Sequence, residues 1–286
     1  IPVFGVIAIN SITEPAKIIH VSLWNNTMPD EFGPKTPYTF LTHISTLGGM
    51  ESALDWLKEK YPNVKNVVGI MVDDGAAPTI GQLVSNQLQK RGLSLKGDLV
   101  RRPPDTVDFS PIATKAIQRK ADAICWLNGW TEGLFIKAVR DQGYKGLIMS
   151  TTFTEPAITM EMAGKPASTD WFANGIVAGA PQNPPMVQMV EKMAQAKYPP
   201  VRNYQFEMFQ AVWSLTQAIQ SAQSLDTTAV KNAWEKMDAF ETVFGPGGMG
   251  GEKTFGIKHA IVYPAALYGL ENGQIKFLKW QKVTIP

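Results

Sequence analysis

Chemistry must be assembled from side chains, and the reactive ones in this chain are few and scattered. The three histidines, His20, His43 and His259, stand far apart, and neither an H-E-x-x-H run nor a cysteine cluster offers metal-ligand spacing. The adjacent carboxylates Asp73 and Asp74 have the oxygen ligands a divalent cation takes, yet an acidic pair after an apolar run and before Gly75 reads first as a solvated turn. The run Gly245-Pro-Gly-Gly-Met-Gly250 satisfies the letters of a phosphate-cradling G-x-G-x-x-G. Pro246 and the lack of a following helical pattern remove the geometry that motif needs. Gly251-Glu-Lys-Thr254 fails as a P-loop because Glu252 separates the glycine from the lysine. No Ser/His/Asp set sits in a nucleophile-elbow context. The single cysteine, Cys125, lies between Ile124 and Trp126, where a buried, inert thiol is expected. Asn25-Asn-Thr27 is a glycosylation sequon only in a eukaryotic secretory setting.

What remains is binding chemistry. Open α/β sheets hold ligands outside the carboxyl ends of their strands, and a two-lobed protein sets two such edges face to face. That rule nominates residues at or just after apolar runs. For the opening run, residues 1–9, these are Ala8, Asn10 and Ser11; after residues 67–72 comes Ala77. After 121–127 come Asn128 and Trp130, and after 147–149 come Thr151, Thr152 and Phe153. Tyr204 joins them at the start of a long helix. Plainer roles compete: Ser11 or Thr13 as a helix N-cap, Trp126 as core, Tyr204 as a first-turn aromatic. Together the hydroxyl, amide and aromatic groups suit a ligand with an apolar or aromatic body and a polar end, a carboxylate or amide.

These positions depend on strands and helices that the sequence marks clearly between residues 50 and 152. Helical spacing through Met50–Lys58 stops at Tyr61-Pro-Asn63, and an apolar strand follows at 67–72. A helix with Leu83, Val84 and Leu88 on one face leads to a short strand at Leu99-Val100. A helix at 112–117, a strand at 121–127, a helix ending at Gly143 and a strand at 147–150 complete the stretch. Strands that alternate with helices and are apolar throughout predict a parallel, doubly wound α/β sheet buried on both faces. Beyond it, 171–179 reads as a strand and three helices are expected, near 186–197, from 204 to 223, and after a cap at Asp226 or Thr227. Glu271-Asn-Gly273 predicts the turn of a terminal hairpin.

Composition excludes other classes. With 286 residues, 44% hydrophobic and 18% charged, the chain buries a full core. A net charge of +2 without a Lys/Arg cluster argues against nucleic acid as a partner. No run approaches the roughly 18 apolar residues of a membrane span. The apolar opening lacks the flanking cations and cleavage site of a leader, and an exported mature chain would have lost one, so location stays open.

At this point the residues carry a resemblance. Asn66-Val-Val-Gly-Ile-Met-Val-Asp-Asp-Gly75, the segment Asp108-Phe-Ser-Pro-Ile112, Ala121–Gly129, and Ile136-Lys-Ala-Val-Arg-Asp-Gln-Gly143 resemble the second lobe of the branched-chain amino-acid binding proteins of ABC transporters. Thr242-Val-Phe-Gly-Pro246 resembles the strand ahead of that family's terminal hairpin. The resemblance implies a two-lobed type I periplasmic-binding-protein fold, each lobe a doubly wound, mostly parallel sheet. It divides the chain into residues 1–46 and 179–262 (lobe 1), 47–178 (lobe 2), and a hairpin at 263–286 returning to lobe 2. It also implies a periplasmic or membrane-anchored extracellular solute-binding component that works with membrane permease subunits, needs no cofactor and catalyses nothing. A ligand-sensing receptor domain of the same fold and, further off, an α/β enzyme are the alternatives.

Within the resemblance, Ala8, Asn10 and Ser11 face a ligand carboxylate, Trp130 closes over its body, and Tyr204 is an apolar contact. The family's acidic partner for a ligand ammonium is replaced by Thr152, with Glu155 three residues on. That substitution favours a small apolar or aromatic carboxylate over a branched-chain amino acid, since a buried cation without a partner is costly. Residues 1–9 match the family's fourth strand, so lobe 1 is incomplete here. A preceding segment is therefore expected to complete it and to cover the exposed edge of that strand.

Overall fold

The computed structural model describes residues 3–23, 31–75, 77–127 and 131–285, with the backbone alone at Val3, Phe4 and Phe153. In chain order the elements are α1 (Val3–Thr13), β1 (His20–Ser22), β2 (Thr39–Leu41), α2 (Thr46–Lys60), β3 (Asn66–Val72), α3 (Ala77–Gln89), β4 (Ser94–Leu95) and β5 (Val100–Arg102). They continue with α4 (Ser110–Gln118), β6 (Ala123–Trp126), α5 (Glu132–Asp141), β7 (Leu147–Thr154), α6 (Pro156–Ala163), a 3₁₀ turn (Lys165–Ala167) and β8 (Trp171–Gly175). The remainder holds α7 (Pro185–Lys197), α8 (Asn203–Ala222), α9 (Thr227–Glu235), β9 (Phe240–Thr242), β10 (Gly245–Gly250), α10 (Glu252–Phe255), β11 (Ala260–Val262), β12 (Ala265–Glu271) and β13 (Gln274–Gln281). Two compact units divide the chain: Ile1–Gly48, Ala178–Ala265 and Lys282–Pro286 form unit 1, and Gly49–Val177 with Ala266–Gln281 form unit 2.

Unit 2 is built on a sheet of order β13-β12-β8-β7-β6-β3-β4, with β5 also paired to β3. Strands β3 to β8 are parallel, and β12 runs antiparallel to β8. The spacing of apolar runs predicted this: residues 67–71 and 123–126 are buried without alternation, as strands covered on both faces must be. Helices α3 to α6 supply the crossovers, and Val68, Ile70, Trp126, Phe135 and Ile148 form part of one core. In the terminal hairpin Asn272 (φ 53°) and Gly273 (φ 72°) both adopt positive φ, the requirement of the two-residue turn that an Asn-Gly pair satisfies cheaply.

The recurring motifs turn out to position rather than to bind. The Asp108 carboxylate accepts the Ser110 N–H at 2.9 Å, starting α4, and that bond holds the carboxyl below its usual range. Phe109 then packs against the touching rings of Trp126 (6.1 Å) and Phe135 (6.5 Å), which lie 5.2 Å apart. Arg140 donates to the carbonyls of Tyr144, Gly146 and Thr169 at 2.9, 2.8 and 2.8 Å, clamping the α5–β7 turn where Gly143 (φ 81°) ends the helix.

Unit 1 holds a mixed sheet of order β1-β2-β11-β10-β9. The β1/β2 and β2/β11 pairs are parallel, whereas β10 is antiparallel to both β11 and β9. Phe40 stacks on Trp234 (4.2 Å between ring centres) and on His259 (4.0 Å). The His259 Nδ1 lies 3.0 Å from the Thr39 carbonyl, which can only accept, so Nδ1 carries a hydrogen. The glycine-rich run 245–250 is the strand β10, paired on both sides. The four-residue α10 does follow it, contrary to expectation, but a paired strand has no free N–H nest for a phosphate.

One expectation is overturned. Of the run expected to be a strand over residues 1–9, the described part, from Val3 on, forms the helix α1. A short run that is apolar at every position has no periodicity to separate strand from helix. The helix satisfies its own backbone hydrogen bonds, whereas a strand needs a neighbour to supply them. Among the described residues no helix is long and apolar enough to cross a membrane.

Candidate functional site

The parallel strands of unit 2 present their carboxyl ends together, at Val72, Arg102, Trp126 and Thr154. Along β5 the side chains alternate, Val100 and Arg102 inward and Arg101 outward. Arg101 meets Asp73 at 3.2 Å in solvent, an exposed pair that contributes little. Arg102 is only 5% exposed. Its guanidinium lies 5.1 Å over the Trp126 ring and 5.8 Å over Phe109, and Nη1 donates to the Pro103 carbonyl at 3.3 Å. Desolvation lowers its pKa and the charge of Asp74 opposes this; a guanidinium remains charged regardless. The Asp73 N–H donates to the Arg102 carbonyl at 2.7 Å, tying the ends of β3 and β5 together.

Glu132 stands in the first turn of α5, 2% exposed. Thr159 on α6 donates to its Oε1 at 2.7 Å, and the Thr154 and Thr159 hydroxyls lie 3.3 Å apart. Burial raises the Glu132 pKa, while hydrogen bonds from Thr159, Thr154 and Ser150 oppose the rise. Thr151 is buried, and its Oγ1 lies 3.5 Å from the Trp126 carbonyl. Thr152 is half-buried, with its hydroxyl 3.0 Å from that of Ser150. This edge therefore carries a buried cation stacked on aromatic rings, a half-buried hydroxyl on Thr152, and two buried carboxylates, Glu155 and Glu132, the latter accepting from Thr159 at one oxygen.

The structure brings Thr151 and Thr152 to this edge, but only Thr152 keeps any exposure. Ala77, fully buried, opens α3. Asn128 and Trp130 lie outside the described residues, as does the side chain of Phe153. In unit 1 the strand end that nominated Ala8, Asn10 and Ser11 is absent, because all three sit on α1. Ser11 donates to the Ala8 carbonyl at 2.8 Å within the helix. Asn10 is buried: Nδ2 donates to the Glu31 carbonyl at 2.8 Å, and Oδ1 lies 2.7 Å from His20 Nδ1 and 2.9 Å from Thr39 Oγ1. Its amide is thus spent on the fold. Tyr204 is 44% exposed, one turn before Met208 on α8. Arg102 and Glu132 were not singled out from sequence; for Arg102 the one usable signal was its shared parity with Val100.

Sequence and fold comparisons converge with this geometry. The profile described as periplasmic binding protein matches residues 5–274. The chain belongs to the periplasmic binding protein family. Membership places it among extracytoplasmic solute-binding proteins, a family not made of enzymes. No curated protein matches the chain. Among solved structures, a leucine binding protein from Thermotoga maritima is similar at 17% identity and a TM-score of 0.77, covering 97% of this chain and 77% of that one. A solute binding protein of an ABC transporter from Rhodopseudomonas palustris, in complex with p-hydroxybenzoic acid, reaches 20% identity and 0.78, covering 98% and 76%. A fatty acid ABC transporter substrate-binding protein from Thermomonospora curvata gives 16% and 0.74, covering 98% and 72%. At these identities the likeness establishes the type I periplasmic-binding-protein fold, α/β with parallel strands in each of two lobes.

Proposed function

We propose that this periplasmic binding protein is the extracytoplasmic recognition component of an ABC importer, periplasmic or membrane-anchored, that delivers a small carboxylate with an apolar or aromatic body to permease subunits. One observation carries the ligand class. At the carboxyl edge of unit 2 the cation Arg102 stacks on Trp126 and Phe109, while the buried carboxylate Glu132 is held inward by Thr159. A cation on an aromatic platform complements a carboxylate and its hydrophobic body. An ammonium would need a carboxylate that is free to face it. Thr152 adds a hydroxyl for the polar end. Asn128, Trp130 and Phe153 follow the same two strands and are proposed as further contacts. The chain turns nothing over: recognition uses packing, stacking, hydrogen bonds and the charge of Arg102.

The p-hydroxybenzoic acid bound in one similar structure and the fatty acids for which another is named are carboxylates of this class. The leucine of a third keeps branched-chain amino acids as the second reading. A thermal-shift comparison of 4-hydroxybenzoate, 4-methylpentanoate and leucine separates them. A ligand at 100 times its Kd stabilises by about 2.7 kcal/mol. The proposal expects shifts with the two carboxylates and none with leucine. Shifts with leucine but not with its deaminated acid would reveal an ammonium partner and overturn the ligand assignment.

A further inference from the structure

The exposed edge of the unit 2 sheet carries a second feature, a groove that starts beside Arg101 and extends toward the amino ends of the strands. Both β4 and β5 add to β3 in parallel, at Asn66–Val67 and at Ile70–Val72, and after the Lys96 N–H bonds to the Val67 carbonyl residues 97–99 leave the ladder. Gly97 (φ 75°) makes that departure possible, since side chains rarely adopt such a φ. Leu99 then turns inward. A Cβ added to Gly69 would meet its side chain at 2.5 Å, and one added to Gly81 at 3.1 Å, so these two glycines make the room it fills. The break leaves an open groove of about 1040 Å³ between α3 and α4.

Leu95, Leu99 and Val100 give the groove an apolar floor, and the carboxyl end of α4 with its cap residue gives it a cationic wall of Lys115 and Arg119. These two stand four positions apart, which places them on one helix face. Neither makes an ion pair among the described residues, and the Arg119 guanidinium lies across Gly97, within 2.5 Å of where its Cβ would stand. Asp98 is the one acidic group of the lining, and Arg101, at the other end, already meets Asp73. Cations thus outnumber anions beside a hydrophobic floor. Because α4 runs against the strands, Lys115 and Arg119 lie toward the amino ends of the sheet, away from Arg102 and Thr152.

We propose that this groove is a second binding site, for an amphiphilic anion whose carboxylate or sulfonate meets Lys115 and Arg119 while its apolar body lies on Leu95, Leu99 and Val100. Two expectations follow from the chemistry. Affinity rises with chain length, by up to about fourfold for each methylene fully buried. It also falls several-fold between roughly 20 and 200 mM salt, because exposed cations are screened over a Debye length of about 10 Å at 0.1 M.

The test is a titration of the full chain with 8-anilinonaphthalene-1-sulfonate, followed by its displacement with octanoate and decanoate. Wild type is compared with K115E/R119E and with the milder K115Q/R119Q, in case charge reversal disturbs folding. Saturable probe binding that weakens at least tenfold in both variants, with decanoate displacing better than octanoate, supports the site. The 4-hydroxybenzoate thermal shift should be unchanged in these variants, so this site and the carboxyl-edge site are scored independently. Unaltered probe affinity in both variants, or displacement by poly-glutamate but not by decanoate, would overturn the proposal.

Discussion

Thr159 on α6 donates a 2.7 Å hydrogen bond to the buried Glu132 carboxylate at the start of α5. Thr159→Val removes that donor without changing volume much, leaving the carboxylate short of a partner. The expected cost is about 1–3 kcal/mol at neutral pH, read from urea denaturation. Burial raises the Glu132 pKa, so the folded chain holds this proton more tightly than the unfolded one. The group's contribution to stability therefore falls as pH rises from 4.5 through the raised value. The Thr159→Val loss should shrink when measured near pH 4.5.

His43 supplies a second pH signature. Burial lowers its imidazole to about 3, with Glu207 Oε1 lying 3.4 Å from Nδ1. A depressed folded pKa means that stability is fully present above 6.5 and is lost as pH falls toward 3. The slope from this one group is about 1.4 kcal/mol per pH unit below 6.5. Chemical denaturation at pH 7, 6 and 5 should show that decline. His43→Gln should flatten it, leaving the smaller share of His20 and His259, both also lowered by burial.

Glycines at close backbone approaches give a structural prediction with an internal control. A Cβ at Gly175 would stand 2.4 Å from the Thr154 carbonyl oxygen, and one at Gly49 would stand 2.7 Å from that of Thr151. Backbone cannot move aside cheaply, so Gly175→Ala and Gly49→Ala should each destabilise by about 1–3 kcal/mol. Gly75→Ala meets nothing within 4 Å and should stay within about 0.5 kcal/mol of wild type in the same melts.

Much of unit 2 was legible because its strands are apolar at every position and punctuated by turns: 67–72 and 147–150 lie on strands of one sheet, and 121–127 contains the four-residue strand between them. Asn272-Gly273 announced its turn for the same local reason. The opening run was not legible, since Val6 to Ile9 serve a helix or a strand equally well until neighbours decide. Arg102 was hidden beside Arg101 because strand parity sets which of two adjacent arginines turns inward. Glu132 reads as an ordinary first-turn acid; its burial depends on Thr154 and Thr159, more than twenty residues away. Burial of a polar group is a tertiary fact that local pattern does not encode.

Arg102→Met separates binding from stability. It keeps most of the apolar stem against Trp126 and removes a charge whose desolvation is costly, so the melting temperature should be unchanged or higher. Carboxylate affinity should fall at least tenfold, the loss of a charge-assisted contact worth about 1.4 kcal/mol or more. A large drop in melting temperature with affinity intact would assign Arg102 to the fold alone.

The central claim, reversible capture of a small carboxylate without turnover, is tested most directly by calorimetric titration of the full chain with 4-hydroxybenzoate. The titrated ligand is then recovered and its mass measured. The account predicts saturable binding that Arg102→Met weakens and Lys115→Gln/Arg119→Gln does not, with the ligand recovered unchanged after long incubation. Absence of binding by 4-hydroxybenzoate and 4-methylpentanoate up to millimolar concentration, or chemical conversion of the recovered ligand, would contradict it.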